Sequence, residues 1–349
     1  MTLFPTQEIG SLPKATPAEI QRWSARIGRA APPQGEELVP ARSRFNVAFL
    51  KASGLDLLYD GEAHRIEMAE HPYRAIGGAE FVGHVRSFDN KYFRKAAVRA
   101  APSLKHPYHS EEYSFVAHET AARPEALKVP ITGPYTLAEW AYNDYYLGRR
   151  EDRYRREGRE AAQRELVVAL ARDVVRPTIA DLIRLGARRL QVDEPALGTH
   201  PHETAVAVEG FEEAVRGQEA TFGMHVCYSD YASLLPGLLE ARSCSEWLWE
   251  FANRDAPGQD GYEVLNRLRE YGDHRAVGVG VVDVHRDSIE SAELVAERIG
   301  RAARYLRDPA KVHVNPDCGL RTRSWEVIWG KLRAVVQGAE LARRNESRP

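Results

Sequence analysis

Cysteine is scarce in this sequence, with Cys227, Cys244 and Cys318 the only three among 349 residues. A chain of this length can bury a large core without disulfide bonds, and an odd number of widely spaced cysteines is typical of a reducing compartment. We therefore expect a cytoplasmic protein whose thiols serve packing or metal binding.

Excess charge and long apolar segments are missing too. Forty-eight basic and 50 acidic residues give a formal net charge of -2, so no overall field favours nucleic acid or an anionic membrane. No window approaches the roughly 18 uninterrupted apolar residues of a membrane span, and the N-terminus lacks the regions of a signal peptide. With 43% hydrophobic residues, the chain has a globular composition, and chemistry on a small molecule is the favoured function class.

Short runs of valine, isoleucine and leucine alternate with helical patterns, which predicts a parallel sheet with crossover helices. Eight such runs favour an α/β fold of the (β/α)8 TIM-barrel type over a doubly wound sheet. The predicted strands are 3–9, 55–59, 128–131, 189–192, 221–226, 246–249, 276–282 and 312–314.

One insertion interrupts the predicted barrel between its second and third strands. Residues 81–98 alternate loosely around Asp89 and Asn90, which predicts a β-hairpin within a longer excursion that also contains helix. We expect a single barrel domain at 1–340, with the insertion at about 63–127 and a polar C-terminal tail at 341–349.

Side chains capable of chemistry follow nearly every predicted strand. Barrel enzymes place their active sites at the C-terminal ends of the strands, so this clustering indicates a catalytic face. The residues are Ser11, Asp60, Glu62, Asp193, Glu194, His225, Cys227, Glu250, Asp283, His285, Asp317 and Cys318.

Four of these residues form a possible metal site. In a strand, His225 and Cys227 point to one face, and Cys318 and Glu250 follow other strands of the same barrel. Thiolate and imidazole ligands select Zn²⁺ over Mg²⁺ or Ca²⁺. An isolated His-x-Cys pair is more often packed in a core, but the four positions at strand ends favour the metal. Such a site suits alkyl transfer to a substrate thiolate better than hydrolysis.

Two looser histidine clusters are weaker metal candidates. One comprises His106, His109, Glu111 and Glu112, and the other is the pair His200 and His202. Both are predicted to lie in polar loops, where such residues are usually solvated.

Seven segments resemble the catalytic C-terminal barrel of the cobalamin-independent methionine synthase family. The resemblance covers nearly the whole chain in order, and HxCYSD and NPDCGLxTR are its most specific motifs. It implies a zinc-dependent (β/α)8 enzyme that methylates homocysteine to methionine. The long enzymes of the family have an additional N-terminal barrel, for which 349 residues leave no room. We therefore expect the short, single-barrel type here. The segments are IGSLP (9–13), DGEAHRIEM (60–68), TGPYTLAEW (132–140), QVDEPAL (191–197), HVCYSD (225–230), VVDVH (281–285) and VNPDCGLRTR (314–323).

The resemblance also implies a role for each matching residue. His225, Cys227, Glu250 and Cys318 match the zinc ligands. His285 matches the proton donor, which Asp283 would orient. The substrate-binding matches are Ile9, Gly10 and Ser11 for the amino-acid carboxylate, and Glu62 and Asp193 for its ammonium group.

The methyl donor is less defined. Trp140 matches a tryptophan that contacts folate in the long enzymes, and Lys91 and Tyr92 align with an Arg-Cys pair of the folate loop. A folate-binding glutamate of the family is replaced by Thr199, and an aspartate by Glu67. Two classes of methyl donor therefore remain. One is methyltetrahydrofolate, and the other is a methylcorrinoid such as methylcobalamin, either free or bound to a corrinoid carrier protein.

Other functions remain open at this point. Another small thiol, of the coenzyme M type, is a possible acceptor, although Glu62 and Asp193 favour a ligand with an ammonium group. A porphyrin decarboxylase-like barrel would need no zinc. A barrel that binds zinc without catalysis is the alternative outside the enzymes.

Overall fold

The computed structural model describes residues 2–33, 35–86 and 91–347. The chain divides into two compact units. The first unit comprises residues 1–64, 114–129 and 245–349, and the second comprises 65–113 and 130–244.

Helices and strands alternate along much of the chain. The strands are β1 (Ile76–Arg86), β2 (Tyr92–Leu104), β3 (Lys128–Thr132), β4 (Tyr142–Asn143), β5 (Arg189–Asp193), β6 (Thr221–Val226), β7 (Glu246–Trp249), β8 (Ala276–Val282) and β9 (Val312–Pro316). The helices are α1 (Pro17–Arg26), α2 (Leu38–Ser53), α3 (Glu70–Ala75), α4 (Ser110–Thr120), α5 (Pro134–Glu139), α6 (Asp144–Gly148), α7 (Arg156–Leu170), α8 (Arg176–Arg184), α9 (Thr204–Val215), α10 (Tyr231–Leu234), α11 (Leu265–Glu270), α12 (Ala292–Leu306) and α13 (Trp325–Glu346).

Parallel strand pairing organises the first unit, where β8 lies between β7 and β9. Two parallel bridges, Thr6 to Val314 and Gln7 to Leu57, place the predicted strands 3–9 and 55–59 next in order after β9. These two segments form isolated bridges rather than full strands, and Leu58 makes a further bridge to Leu127. Proline 5 has no N–H to donate, and the backbone N–H and Oγ1 of Thr6 both donate to the Asp56 carboxylate, at 2.8 and 2.9 Å.

An aromatic cluster packs the helices of the first unit together. Phe49 of α2 contacts Trp325 and Trp329 of α13 edge-on, with ring centroids 5.1 and 5.3 Å apart. Trp23 of α1 reaches the same Phe49 ring at 5.4 Å. Edge-to-face pairs of buried aromatic rings add to the free energy of burial, so this cluster fixes α1, α2 and α13 against one another.

The second unit contains the predicted hairpin. β1 and β2 pair in antiparallel register, over a longer stretch than the predicted 81–98, and β2 continues into a short parallel contact with β4. Gly78 has a φ of +78° beside a register shift, and a Cβ there would lie 2.6 Å from the Ala101 carbonyl oxygen. A bulge at this position therefore requires glycine. The predicted turn residues Asp89 and Asn90 lie outside the described residues.

The helical segment after residue 155 is divided in two. A π-helical turn at Ala171–Val175 separates α7 from α8, and Pro177 lies in the first turn of α8. Proline is tolerated at the start of a helix but interrupts the hydrogen-bond ladder of its interior. Gly186, with a φ of +112°, directly follows Leu185, the C-cap of α8, where glycine is common.

Within the described residues, no helix is both long enough and apolar enough to cross a membrane. The single domain predicted at 1–340 stays a prediction. In the predicted tail at 341–349, α13 continues to Glu346.

Because α12 packs closely against α13, we expect one added methyl group at Gly338 to destabilise the protein. A Cβ at Gly338 would overlap the Val295 side chain and lie 3.1 Å from the Ala292 carbonyl oxygen. We expect Gly338→Ala to lower the free energy of unfolding by about 1–3 kcal/mol, measured by urea denaturation, because the helices must move apart.

Gly300→Ala is the matched control for this substitution. Its Cβ would meet only the Arg304 guanidinium, at 3.6 Å, so we expect no loss of stability, or a gain of up to ~1 kcal/mol from helix propensity. Equal effects of the two substitutions would contradict the packing argument.

Candidate active site

His225 and Cys227 lie at the end of β6 in the second unit, and both side chains are buried. β5 pairs with β6 in parallel register, which places Asp193 opposite His225. The backbone N–H of Glu194 donates to the His225 carbonyl at 2.8 Å and continues the pairing beyond β5. Gly198 lies so close to the Cys227 carbonyl oxygen that a Cβ there would overlap it. The pairing and this contact fix the loop that carries the cysteine.

Glu250 and Cys318 follow β7 and β9 in the first unit. Between them, the buried Asp317 carboxylate accepts hydrogen bonds from the backbone N–H groups of Phe251 and Ala252, both at 2.9 Å, and of Asn253 at 2.7 Å. Burial, and next the charge of Glu250, raise the pKa of Asp317 to about 8. These bonds fix the loop after Glu250 relative to the end of β9.

His285 lies beside Glu250 in the same unit, with Nε2 3.8 Å from the Glu250 Oε1. The interaction with Glu250 raises the pKa of His285, although partial burial opposes it. Asp283 accepts a hydrogen bond from the backbone N–H of His285 at 2.8 Å. This bond fixes the loop that carries the imidazole, and the charge of Asp283 also favours the protonated imidazole.

Two groups of side chains in the described part of the chain could hold a metal ion. His225, Cys227 and Cys318 form the first group, and His71, His109 and Glu112 form the second. Within each group the ligand atoms lie within 4.8 Å of one another. The first group contains three of the four ligands predicted from the sequence, without Glu250. The second includes two residues of the weaker histidine cluster together with His71, which the sequence did not indicate.

The loop of Ile9, Gly10 and Ser11 contacts two other predicted segments within the first unit. A Cβ at Gly10 would lie 2.8 Å from Oε1 of Glu62, so any larger residue here would force this carboxylate to move. Glu62 itself has a φ of +60°, which is uncommon for a residue with a side chain. On the other side, the N–H of Leu320 donates to the Ser11 carbonyl at 2.8 Å. The predicted substrate loop thus lies against Glu62 and the segment that follows Cys318.

The predicted donor residues lie near the start of β2 in the second unit. The Trp140 ring, at the C-terminal cap of α5, packs on Phe93 with centroids 6.4 Å apart. Phe93 directly follows Lys91 and Tyr92, and Tyr92 is 68% exposed. Sequence reasoning missed Phe93, because a single apolar residue in a strand carries no signal of its neighbour.

Glu67 and Thr199, which depart from the family pattern, both bond locally. Glu67 accepts hydrogen bonds from the N–H groups of Ala69 and Glu70, at 2.7 and 2.8 Å, at the start of α3. Thr199 donates to the Ala196 carbonyl at 3.0 Å. These bonds stabilise a helix start and a turn.

Glu194 is a buried carboxyl group whose contacts explain the adjacent Gly133. It accepts hydrogen bonds from the N–H groups of Tyr135 at 3.1 Å and Thr136 at 2.7 Å, at the start of α5. A Cβ at Gly133 would overlap the Glu194 side chain. Desolvation raises the pKa of Glu194 to about 8, although these hydrogen bonds oppose the shift.

Ionisable and thiol side chains thus follow the C-terminal ends of parallel strands that alternate with helices. This arrangement defines the class of the protein as an α/β enzyme of the barrel type.

Comparison with known proteins gives the family. Residues 4–341 match the family described as cobalamin-independent synthase, catalytic domain. A methionine synthase of Thermoplasma acidophilum is 37% identical over 99% of this chain and 98% of its own length. Another, of Thermococcus kodakarensis, is 35% identical over 100% and 96%. The chain belongs to the cobalamin-independent methionine synthase family. Membership of this family indicates that the protein is a methyltransferase that acts on homocysteine.

A solved structure confirms the fold. The B12-independent methionine synthase of a Shewanella species, in complex with selenomethionine, superimposes with a TM-score of 0.77. The two are 24% identical, and the match covers 99% of each chain. This likeness confirms the predicted (β/α)8 fold class, and the structure confirms the hairpin and helices of the insertion.

The raised pKa of Glu194 predicts a pH-dependent stability. The folded carboxyl keeps its proton up to about pH 8, whereas the unfolded group loses it near its ordinary value of 4.5. The folded state therefore binds more protons in this window, and the free energy of unfolding falls as pH rises through it. We expect Glu194→Gln to reduce the slope between pH 5 and 8 by up to ~1.4 kcal/mol per pH unit, measured by urea denaturation at each pH.

Glu219→Gln, at an exposed position of the same unit, is the control and should leave the slope unchanged. The expectation fails if Glu194→Gln shows the same slope as the unsubstituted protein.

Proposed function

We propose that this protein is a zinc-dependent methyltransferase that methylates the thiol of homocysteine to give methionine. The observation that carries the proposal is the group of two thiols and one imidazole, Cys227, Cys318 and His225, in a chain of the methionine synthase family. The two cysteines must remain reduced to bind a metal, which suits the cytoplasm.

The donor set fits zinc. His225, Cys227 and Cys318 would hold Zn²⁺, with Glu250 as the fourth ligand, since thiolate and imidazole ligands favour Zn²⁺ over Mg²⁺ or Ca²⁺. A bound zinc ion lowers the pKa of a substrate thiol, while anionic ligands preserve the nucleophilicity of the thiolate. Asn253 donates a hydrogen bond to the Glu250 Oε2 at 3.0 Å and thereby orients the carboxylate.

The amino-acid part of homocysteine would bind to the loop of Ile9, Gly10 and Ser11. Its carboxylate would accept hydrogen bonds from this loop, and its ammonium group would pair with Glu62 and Asp193. The contact between Gly10 and the Glu62 carboxylate supports this assignment, because it brings the two parts of a zwitterion site in the first unit together. Asp193 accepts a hydrogen bond from the Gln191 side chain at 2.7 Å, which orients it.

Methyl transfer forms a carbon–sulfur bond as the bond between the methyl group and the donor breaks. If the donor is methyltetrahydrofolate, the departing nitrogen takes the electron pair and needs a proton. His285, whose Nε2 lies 3.8 Å from the Glu250 Oε1, would supply it. Asp283 would hold the His285 loop in position through the backbone hydrogen bond.

Trp140 would provide a flat apolar surface on which the donor stacks, with Lys91 and Tyr92 at the edge of this surface. Because Trp140 packs on Phe93, the end of α5 lies beside the start of β2. This contact supports a donor site to which both elements contribute. Methyltetrahydrofolate and a methylcorrinoid, free or delivered by a carrier protein, are the two donor classes.

A single thiol substitution tests the metal and the reaction together. We expect Cys318→Ser to bind far less zinc than the unsubstituted protein and to lose methionine formation, because it removes one of two thiolate ligands. Cys244→Ser is the control, since Cys244 is buried outside the group and should retain both zinc and activity.

The measurements are the metal content of the purified protein and single-turnover assays with homocysteine and either methyltetrahydrofolate or methylcobalamin. The donor that is consumed identifies the donor class. Full methionine formation by zinc-free Cys318→Ser would overturn the proposal, as would consumption of neither donor by the zinc-loaded protein.

The contact at Gly10 gives a prediction for substrate binding. Gly10→Ala should displace the Glu62 carboxylate and raise KM for homocysteine at least tenfold, the effect of losing about 1.4 kcal/mol of binding free energy. Gly83→Ala is the control, since a Cβ there has no atom within 4 Å in the described structure, and it should leave KM unchanged. An unchanged KM in Gly10→Ala would remove Glu62 from the substrate site.

A further inference from the structure

We propose that His71, His109 and Glu112 form a second metal site, which binds a divalent transition-metal ion through two imidazoles and one carboxylate. All three residues belong to the second unit. None of them takes part in the proposed methyl transfer.

His109 is the residue that points to a ligand. It is only 1% exposed; its Nε2 has no hydrogen-bond partner among the described residues, and its Nδ1 has only the long contact with Glu112, at 3.5 Å. Buried polar atoms are nearly always paired, because an unpaired one loses its hydrogen bonds to water without replacement. A neutral imidazole offers one lone pair, and binding a metal ion would use it.

The geometry of the helix start fits a shared ion. His109 precedes α4 and Glu112 lies in its first turn, with Nδ1 of His109 3.5 Å from Oε2 of Glu112. Two ligands on one tetrahedral ion at ordinary bond lengths lie about 3.4 Å apart. The ligand atom that His71 offers lies within 4.8 Å of both others, so a small side-chain movement would close the group.

His71 comes from the start of α3, and its ring stacks on that of His109 with centroids 5.7 Å apart. Its Nε2 lies 3.3 Å from the carbonyl oxygen of Tyr108. The tautomer that donates to this carbonyl carries its lone pair on Nδ1, and ligating histidines usually donate a hydrogen bond through their other ring nitrogen in this way.

Arg65 limits the strength of this site. Its guanidinium donates to Glu112, with Nη2 2.6 Å from Oε1 and Nε 3.2 Å from both carboxylate oxygens. A carboxylate has about four lone-pair sites, so Glu112 can hold both the arginine and an ion. The positive charge of Arg65 repels a cation, and we therefore expect weaker binding here than at the cysteine-containing group.

Two imidazoles and one carboxylate are ligands for Zn²⁺, Fe²⁺ and Co²⁺ rather than for Mg²⁺ or Ca²⁺. Three protein ligands also leave coordination positions open for water or a small molecule.

Co²⁺ is the probe for the test, added to metal-free full-length protein in equilibrium dialysis and followed by visible absorption. We expect two Co²⁺ per chain. His109→Ala should retain one ion with a thiolate-to-cobalt charge-transfer band, whereas Cys318→Ser should retain one ion without that band. His71→Ala tests the same site by a residue that is less buried, and it should also lose one equivalent.

His106→Ala is the matched control, since this exposed histidine lies three residues before His109 and outside the group. One ion per chain in the unsubstituted protein, or two ions in His71→Ala and in folded His109→Ala, overturns the second site. A thiolate band that survives Cys227→Ser/Cys318→Ser would instead contradict the zinc assignment, so the two failures are distinguishable.

Discussion

The buried carboxylate of Asp317 is the constraint on which the first unit's part of the site depends. It follows β9 directly, and it collects three backbone N–H groups from the loop after β7. The chain can approach this closely because residue 280 on β8 is glycine, where any Cβ would overlap the Asp317 side chain. Glu250 and Cys318, the residues next to the two ends of this network, are thereby fixed. The same burial opposes the ionisation of Asp317 and raises its pKa.

Much of the fold could be predicted from apolar runs alone. Strands β5 to β9 are buried along nearly their whole length, and burial on both faces produces the continuous valine and leucine runs that the sequence shows. The segments 3–9 and 55–59 are also predicted as strands but form only isolated bridges. The competing interaction there is the Asp56 carboxylate with Thr6, and a side-chain contact between distant segments has no periodic signature in the sequence.

The candidate site was only partly predictable. The spacing of His225 and Cys227 on one strand is visible in the sequence, whereas their grouping with Cys318 requires the fold or the family motif. His71 gave no signal at all, because it meets His109 only through the packing of α3 beside the start of α4. The contact of Gly10 with Glu62 was equally hidden, since a missing Cβ has meaning only when its neighbour is known.

Glu62 and Tyr228 share a backbone feature with a consequence for protein engineering. Both have positive φ, at +60° and +55°. Glu62 is itself proposed to bind the substrate, and Tyr228 directly follows the proposed metal ligand Cys227. A left-handed conformation costs an ordinary L-residue about 1–2 kcal/mol, a penalty that glycine avoids. Directed evolution for heat resistance alone would therefore reward glycine at these positions and discard the carboxylate of residue 62. Thermal stability and substrate recognition therefore compete at residue 62.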